Sequence, residues 1–173
     1  MKLLLHLCCA PCGVYPLEKI QEEGIYFEGF FYNPNIHPYE EFLKRKHNVE
    51  KLAEAKNFIV HYNDHFLQDK WLQYNKSDLN RCFMCYDIRL DEVATFASEN
   101  GFDAFTSSLL VSPYQNHDYI CEMARRASEK YKVNFYYDDF RTGFRTGQQG
   151  AKEMGLYRQK YCGCIHSFAL EIL

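Results

Sequence analysis

No apolar stretch in this chain approaches the roughly 18 residues that a membrane-spanning helix requires. The amino-terminal run Met1-Lys2-Leu3-Leu4-Leu5-His6-Leu7-Cys8 carries one positive charge and is too short for a signal-peptide core with its cleavage site. A cytoplasmic protein with no membrane partner is therefore expected. Positive charge is not in excess either: the net charge is -3, whereas a generic nucleic-acid binder of this size is usually basic. That balance leaves room for a local basic face. No internal repeat, low-complexity segment or linker interrupts the sequence, so residues 1–173 are expected to form a single α/β domain with its own core. The glycine-bearing segment from Arg141 to Gly150 lacks the Gly-Lys-Ser/Thr ending of a P-loop, which argues against an ATPase.

Cysteine, by contrast, is abundant. Seven of the eight cysteines fall in three clusters: Cys8-Cys9-x-x-Cys12, Cys82-x-x-Cys85 and Cys162-x-Cys164. In a reducing cytoplasm this spacing favours metal binding or redox catalysis over structural disulfides. One zinc or one four-iron cubane takes about four thiolates, so seven clustered thiols exceed the needs of any single ordinary metal site. Cys121 has no cysteine neighbour and reads as a buried, inert thiol.

Hydrophobic periodicity places the clusters. Leu3–Leu7 reads as a buried strand that ends at the first cysteines, followed by a helix over Tyr15–Glu23 and a second strand over Ile25–Tyr32. Asn33-Pro34-Asn35-Ile36-His37-Pro38 is a loop. Helices are predicted from Pro38 to about Lys56, around Phe66–Tyr74, over Cys82–Asn100, over Asn116–Lys130 and over Thr146–Met154. Strands are predicted at Phe58–Tyr62, Phe102–Ser107 and Val133–Tyr137. This alternation implies a Rossmann-like, open, doubly wound sheet of about five mostly parallel strands, with helices on both faces. Ligands in such sheets bind beyond the carboxyl ends of the strands, where Cys8 would lie.

Adjacent residues on a strand point to opposite sides, so Cys8 and Cys9 are expected to serve different metals. The simplest division gives Cys8, Cys82, Cys85 and Cys162 to a four-iron cluster, and Cys9, Cys12 and Cys164 to a second metal with an open position. Two rival readings use the same cysteines. Cys9-Ala10-Pro11-Cys12 between a strand and a helix suits a thioredoxin-like dithiol oxidoreductase, and four closed ligands on one zinc would suit a zinc-stabilised RNA-binding module. From Arg141 to Lys160 there are five basic residues and one acidic one. With its glycines ahead of a helix, this segment suits phosphate contacts, although a solvated face is an equal expectation. Among the many aromatics, Tyr32, Tyr39, Tyr114 and Tyr157 are candidates for stacking on an extruded base. His117 and Asp118 are proton-donor candidates, and equally expected as plain helix amino-terminal residues.

These motifs together resemble the cobalamin-independent epoxyqueuosine reductases. Leu5-His6-Leu7-Cys8-Cys9-Ala10-Pro11-Cys12, Tyr32-Asn33-Pro34-Asn35-Ile36-His37-Pro38, Cys82-x-x-Cys85, the block Thr106–Gln115 and Tyr157-Arg158-Gln159-Lys160-Tyr161-Cys162-Gly163-Cys164 are similar to that family, in its order and across nearly the whole chain. The resemblance implies a 4Fe-4S cluster beside a mononuclear iron, no cobalamin, and the last step of queuosine synthesis in tRNA. The substrate would be tRNA with epoxyqueuosine in the anticodon, reduced with electrons from a separate donor. Asn33, Ser112, Tyr114, Gln115, Arg141, Arg145 and Arg158 are then the candidate substrate-binding residues.

Overall fold

A computed structural model describes residues 1–168. The central strand β1 (Lys2–His6) is buried along Leu3, Leu4 and Leu5 on both faces, the pattern of a strand covered by helices above and below. The helix α1 (Ala10–Glu22) leads to β2 (Tyr26–Tyr32), and α2 (Tyr39–Lys56) leads to β3 (Val60–Asn63). The chain then returns through α3 (Gln68–Leu72) and the long α4 (Asn80–Glu99) to β4 (Ala104–Ser107) on the other side of β1. A 3-10 turn (Ser108–Val111), α5 (His117–Tyr131), β5 (Asn134–Phe135), a second 3-10 turn (Phe140–Gly143), α6 (Phe144–Glu153) and α7 (Ile165–Phe168) complete the described chain.

All five strands are parallel, in the order β3-β2-β1-β4-β5. Because parallel crossovers are right-handed, reversal of winding at β1 sends α1 and α2 to one face and α4 and α5 to the other. In keeping with this, α1 packs on α2 and α6, while α4 packs on α5. The expected Rossmann-like architecture is thus present. His6 is in register with Phe30 on β2 and with Ser107 on β4. The carboxyl ends of β1 and β4 therefore stand level, with β2 running two residues further, and Cys8 follows just beyond the end of β1.

One boundary differs usefully from the sequence expectation. The first helix begins at Ala10, not Tyr15, with Cys9 extended at its N-cap and Pro11 in the first turn, where a proline's missing N–H costs nothing. Cys12 consequently lies in the first helical turn. The segment Arg141–Gly150 also differs: it is a 3-10 turn running straight into α6, and two of its glycines serve packing. A Cβ on Gly143 would lie 2.1 Å from the Tyr15 ring, and one on Gly147 would lie 3.2 Å from Tyr15 Cβ. These glycines let α6 lie against α1.

Candidate metal centre

At the carboxyl edge of the sheet the three sequence clusters condense into two groups of thiols. The first is Cys8, Cys9 and Cys12, whose sulfurs all lie within 4.8 Å of one another. Among the described residues, no other three potential metal ligands are so closely placed. Strand alternation has already ended at His6, so Cys8 and Cys9 do not diverge as a continuing strand would require. Their sulfurs are 3.9 Å apart. Thiolates around a tetrahedral ion with metal–sulfur bonds near 2.3 Å stand about 3.8 Å from each other, so the spacing of this triad suits a single ion.

Two residues, Ser108 and Gln159, hold the triad through four contacts. The Cys8 amide donates to Ser108 Oγ at 2.9 Å, and that hydroxyl donates to Cys8 Sγ at 3.1 Å. The Gln159 amide nitrogen lies 2.6 Å from Cys9 Sγ and 3.8 Å from Cys12 Sγ. Hydrogen bonds from the Cys12 and Cys9 thiols, helped by Arg89 and Ser108, hold the Cys8 thiol well below its ordinary pKa. Cys12 shifts upward, because it is the donor in that arrangement and is itself buried. Burial likewise pushes Cys9 up. These shifts favour negative charge on Cys8 over Cys9 and Cys12, at the amino end of α1, where the helix dipole also favours it.

The second group is Cys82, Cys85, Cys162 and Cys164, which line one recess. Cys82 and Cys85 lie one turn apart at the start of α4; Cys162 and Cys164 come from the turn before α7. Cys85 and Cys164 pack with Trp71 of α3 in a small apolar cluster, and burial pushes the Cys85 thiol up to about 12. The division expected from sequence therefore changes at two positions. Cys8 stands with Cys9 and Cys12, and Cys164 stands with Cys85, because the carboxyl-terminal turn folds over α3 and α4 and not toward the start of α1. The four sulfurs share a recess without closing to single-ion distance. That spread suits a larger unit such as a four-iron cluster, which four cysteines hold.

The turn carrying Cys162 and Cys164 is pinned by residues that sequence reading did not single out. The His37 amide donates to the Gly163 carbonyl at 2.7 Å, and the Ile165 amide donates to His37 Nδ1 at 3.2 Å. Tyr161 donates its hydroxyl to the His37 carbonyl. Arg45, paired with Glu41 at 2.7 Å, donates to the Tyr161 carbonyl at 3.0 Å. Gly163 sits at φ +111 with Ile36 and Arg45 against it, a conformation and a space that suit glycine alone. Burial pushes the His37 pKa down to about 4, which keeps the imidazole neutral and able to accept at Nδ1.

Both thiol groups border a cavity of about 510 Å³, which Cys8, Cys9, Cys12, Cys82 and Cys162 all reach. Ser112, Tyr114 and Gln115 line it, as the sequence reading proposed for a substrate site. Gln115 accepts a hydrogen bond from Tyr86 at 2.6 Å, and Tyr114 is 83% exposed, with its ring edge-on to Phe144. The other candidates lie elsewhere. Asn33 is buried, donating to the Leu7 carbonyl and accepting from Arg89 at 2.8 Å each. Arg141 is paired with Asp139 at 2.6 Å, while Arg145 and Arg158 are exposed, beside residues that line the cavity. His117 shares a hydrogen bond with Tyr137, and Asp118 is exposed in the first turn of α5; neither lines the cavity. Of the stacking candidates other than Tyr114, Tyr32 is buried, Tyr39 stacks on Phe42, and Tyr157 bonds Glu41 beneath Lys44. Cys121 is buried on α5, away from both groups.

Gln159 and Arg89 also escaped the sequence reading. Gln159 sits in a matched motif, but nothing in its type or spacing distinguishes it from a surface glutamine. Arg89 follows Cys85 by one helical turn, a spacing that places the two on one face, and this was the available signal.

The family described as epoxyqueuosine reductase QueH matches residues 3–169 of the chain. An epoxyqueuosine reductase QueH from Dehalococcoides mccartyi is 36% identical over 168 residues, spanning 96% of this chain and 92% of its own length. The one from Acinetobacter baylyi is 39% identical over 96% of this chain and 80% of its own length. That from Thermotoga maritima is 35% identical over 95% of this chain and 89% of its own. Among solved structures, the zinc-inhibited form of teicoplanin deacetylase Orf2 superposes with a TM-score of 0.54 at 10% identity, covering 78% of this chain and 66% of that one. At that identity the likeness is one of fold.

Proposed function

The chain belongs to the epoxyqueuosine reductase QueH family, a family of oxidoreductases, and from that premise we propose that it removes the epoxide oxygen of epoxyqueuosine at the wobble position of tRNA. Leaving an alkene in place of the epoxide consumes two electrons and two protons and releases water. The observation that carries this reading is the convergence of thiols from three distant segments: five line one open cavity, and Cys85 and Cys164 line the adjoining recess with Cys82 and Cys162. A dithiol enzyme has use for two of them, and a structural zinc for about four.

The donor set fits metal. Four thiols share one recess, three more stand at single-ion spacing, and a buried guanidinium with an unpartnered Nε lies beside them. In this reading Cys82, Cys85, Cys162 and Cys164 hold a four-iron cluster and Cys8, Cys9 and Cys12 a mononuclear iron, which together supply low-potential electrons and a Lewis acid toward the epoxide oxygen. The protein's own groups do the rest. Tyr114 and Phe144 offer aromatic faces to the nucleobase at the cavity mouth. Gln115, oriented by the Tyr86 hydroxyl, and Ser112 offer hydrogen bonds to it. Lys160 lines the wall and can deliver a proton to the departing oxygen, a role for which His117 and Asp118 are displaced. Arg145 and Arg158, exposed at the rim, suit the flanking phosphates of the anticodon loop. The electrons come from a separate protein or small-molecule donor.

The test is anaerobic reconstitution followed by iron and sulfide quantification, electron paramagnetic resonance and turnover of epoxyqueuosine-containing tRNA. Expected are more than four irons per chain, absorption near ~400 nm and conversion to queuosine on reduction. A colourless protein holding one zinc would favour the RNA-binding module instead. Full turnover by Cys85→Ala would favour the dithiol enzyme.

A further inference from the structure

Two arginines are equally buried at this site, each 3% exposed, and they are treated differently. Arg45 faces Glu41 at 2.7 Å, so its charge is neutralised within the protein. Arg89 has no carboxylate partner among the described residues. Its NH2 donates to the neutral amide oxygen of Asn33 at 2.8 Å, its NH1 lies 3.9 Å from Cys85 Sγ, and its Nε is buried without a partner. A buried, uncompensated cation is among the most unfavourable things a fold can contain. Yet the guanidinium is held firmly: Asn33, which receives it, donates in turn to the Leu7 carbonyl, immediately before Cys8. Arg89 borders the recess of the four thiols and the open cavity reached by the other three. The anions available to it are sulfur.

We propose that Arg89 is the fixed countercharge of the thiol centre and raises the reduction potential of the cluster held by Cys82, Cys85, Cys162 and Cys164. This rests on the cluster assignment above. Each added electron makes a thiolate-bound cluster more negative, so a cation locked beside it stabilises the reduced form over the oxidised one. A neutral residue at position 89 shifts that balance toward the oxidised form. Arg89 acts through the cluster and touches no substrate, which makes it a positioning and tuning residue.

The test compares anaerobically reconstituted wild type, Arg89→Gln and Arg89→Lys by redox titration followed with electron paramagnetic resonance. Arg89→Gln should keep its iron and show about a tenfold lower reduced-to-oxidised ratio at a given potential, about 59 mV for one electron. Arg89→Lys should recover most of that shift. A fully loaded Arg89→Gln protein with the wild-type potential overturns the proposal. If Arg89→Gln takes up no iron, the metal-free proteins decide. A wild-type melting temperature for the metal-free variant, with iron retained by Arg89→Lys, supports a countercharge. An unfolded metal-free variant, or an Arg89→Lys protein equally empty, marks Arg89 as structural and overturns the proposal. Wild type that forms no cluster refutes the earlier assignment, whereas a normal wild-type cluster with an unshifted variant refutes this inference alone.

Discussion

Cys8, Cys9 and Cys12 come from one stretch of chain, where β1 gives way to α1, and these free thiols make hydrogen bonds among themselves, with Ser108 and with Gln159. Cys82, Cys85, Cys162 and Cys164 come from the start of α4 and from a turn near the carboxyl terminus, and they meet under Trp71 with an arginine beside them. The first group takes its three ligands from one strand-to-helix junction, with Ser108 and Gln159 supplying hydrogen bonds from farther along the chain. The second needs the whole sheet, because α4 and the carboxyl-terminal turn are brought together by contacts to α2 and to the loop after β2. A locally built group keeps its geometry when distant contacts are loosened, and a remotely built one does not. The triad should therefore survive damage that dismantles the tetrad.

The largest expected effect comes from removing a tetrad ligand. Cys85→Ala should lose the four-iron complement and all detectable turnover, while leaving metal at the triad. Cys121→Ala, away from both groups, should keep full iron content. Loss of both metals in Cys85→Ala would break the comparison, since it would make the triad depend on the tetrad. The reciprocal change, Cys12→Ser, should keep the four irons and their resonance signal but lower turnover by about a hundredfold or more, as expected when a coordination shell loses a ligand.

Acid should separate the two groups without any mutation. His37 has an ordinary pKa of 6.5 and is pushed down to about 4 in the folded protein by burial. Its folded pKa is depressed, so its contribution is fully present above pH 6.5 and lost as the pH falls toward 4. The loss amounts to about 2–3 kcal/mol. Denaturant melts of the metal-free protein at pH 7 and pH 4.5 should show it, and His37→Gln should shrink the difference to the part owed to His6, which burial also pushes down to about 4. Thiol labelling at pH 4.5 should then quicken at Cys162 and Cys164 more than at Cys9 and Cys12. Equal quickening would sink the distinction.

Smallest is the effect of Gln159→Ala, which removes the amide 2.6 Å from Cys9 Sγ. A hydrogen bond to a charged sulfur is worth about 1.5–3 kcal/mol. The triad should therefore release its metal at least about tenfold more readily, with tetrad iron unchanged. Metal-release kinetics against a chelator measure this directly.

Much of the fold was legible in the chain, for reasons tied to particular residues. The unbroken apolar run Leu3-Leu4-Leu5 marks a strand buried on both faces, and Ile120, Ala124 and Ala127 mark the buried stripe of α5. The start of α1 was placed too late, at Tyr15, while the helix takes in Pro11 in a first turn where proline is welcome. The glycines at 143 and 147 looked like a phosphate loop because glycine serves close backbone packing and anion binding alike.

The sequence by itself determined that seven thiols fall in three clusters, the first just beyond the carboxyl end of a buried strand, since spacing and periodicity are local properties of the chain. Only the tertiary structure decided how those thiols divide. The direction of Cys8 depends on where strand alternation stops, and the position of Cys164 depends on a turn held by His37 and Arg45. The role proposed for Arg89 depends on the lack of a carboxylate partner among the described residues, which no linear reading reveals. Burial and partnership are properties of the packed chain, and they set the charge of the centre.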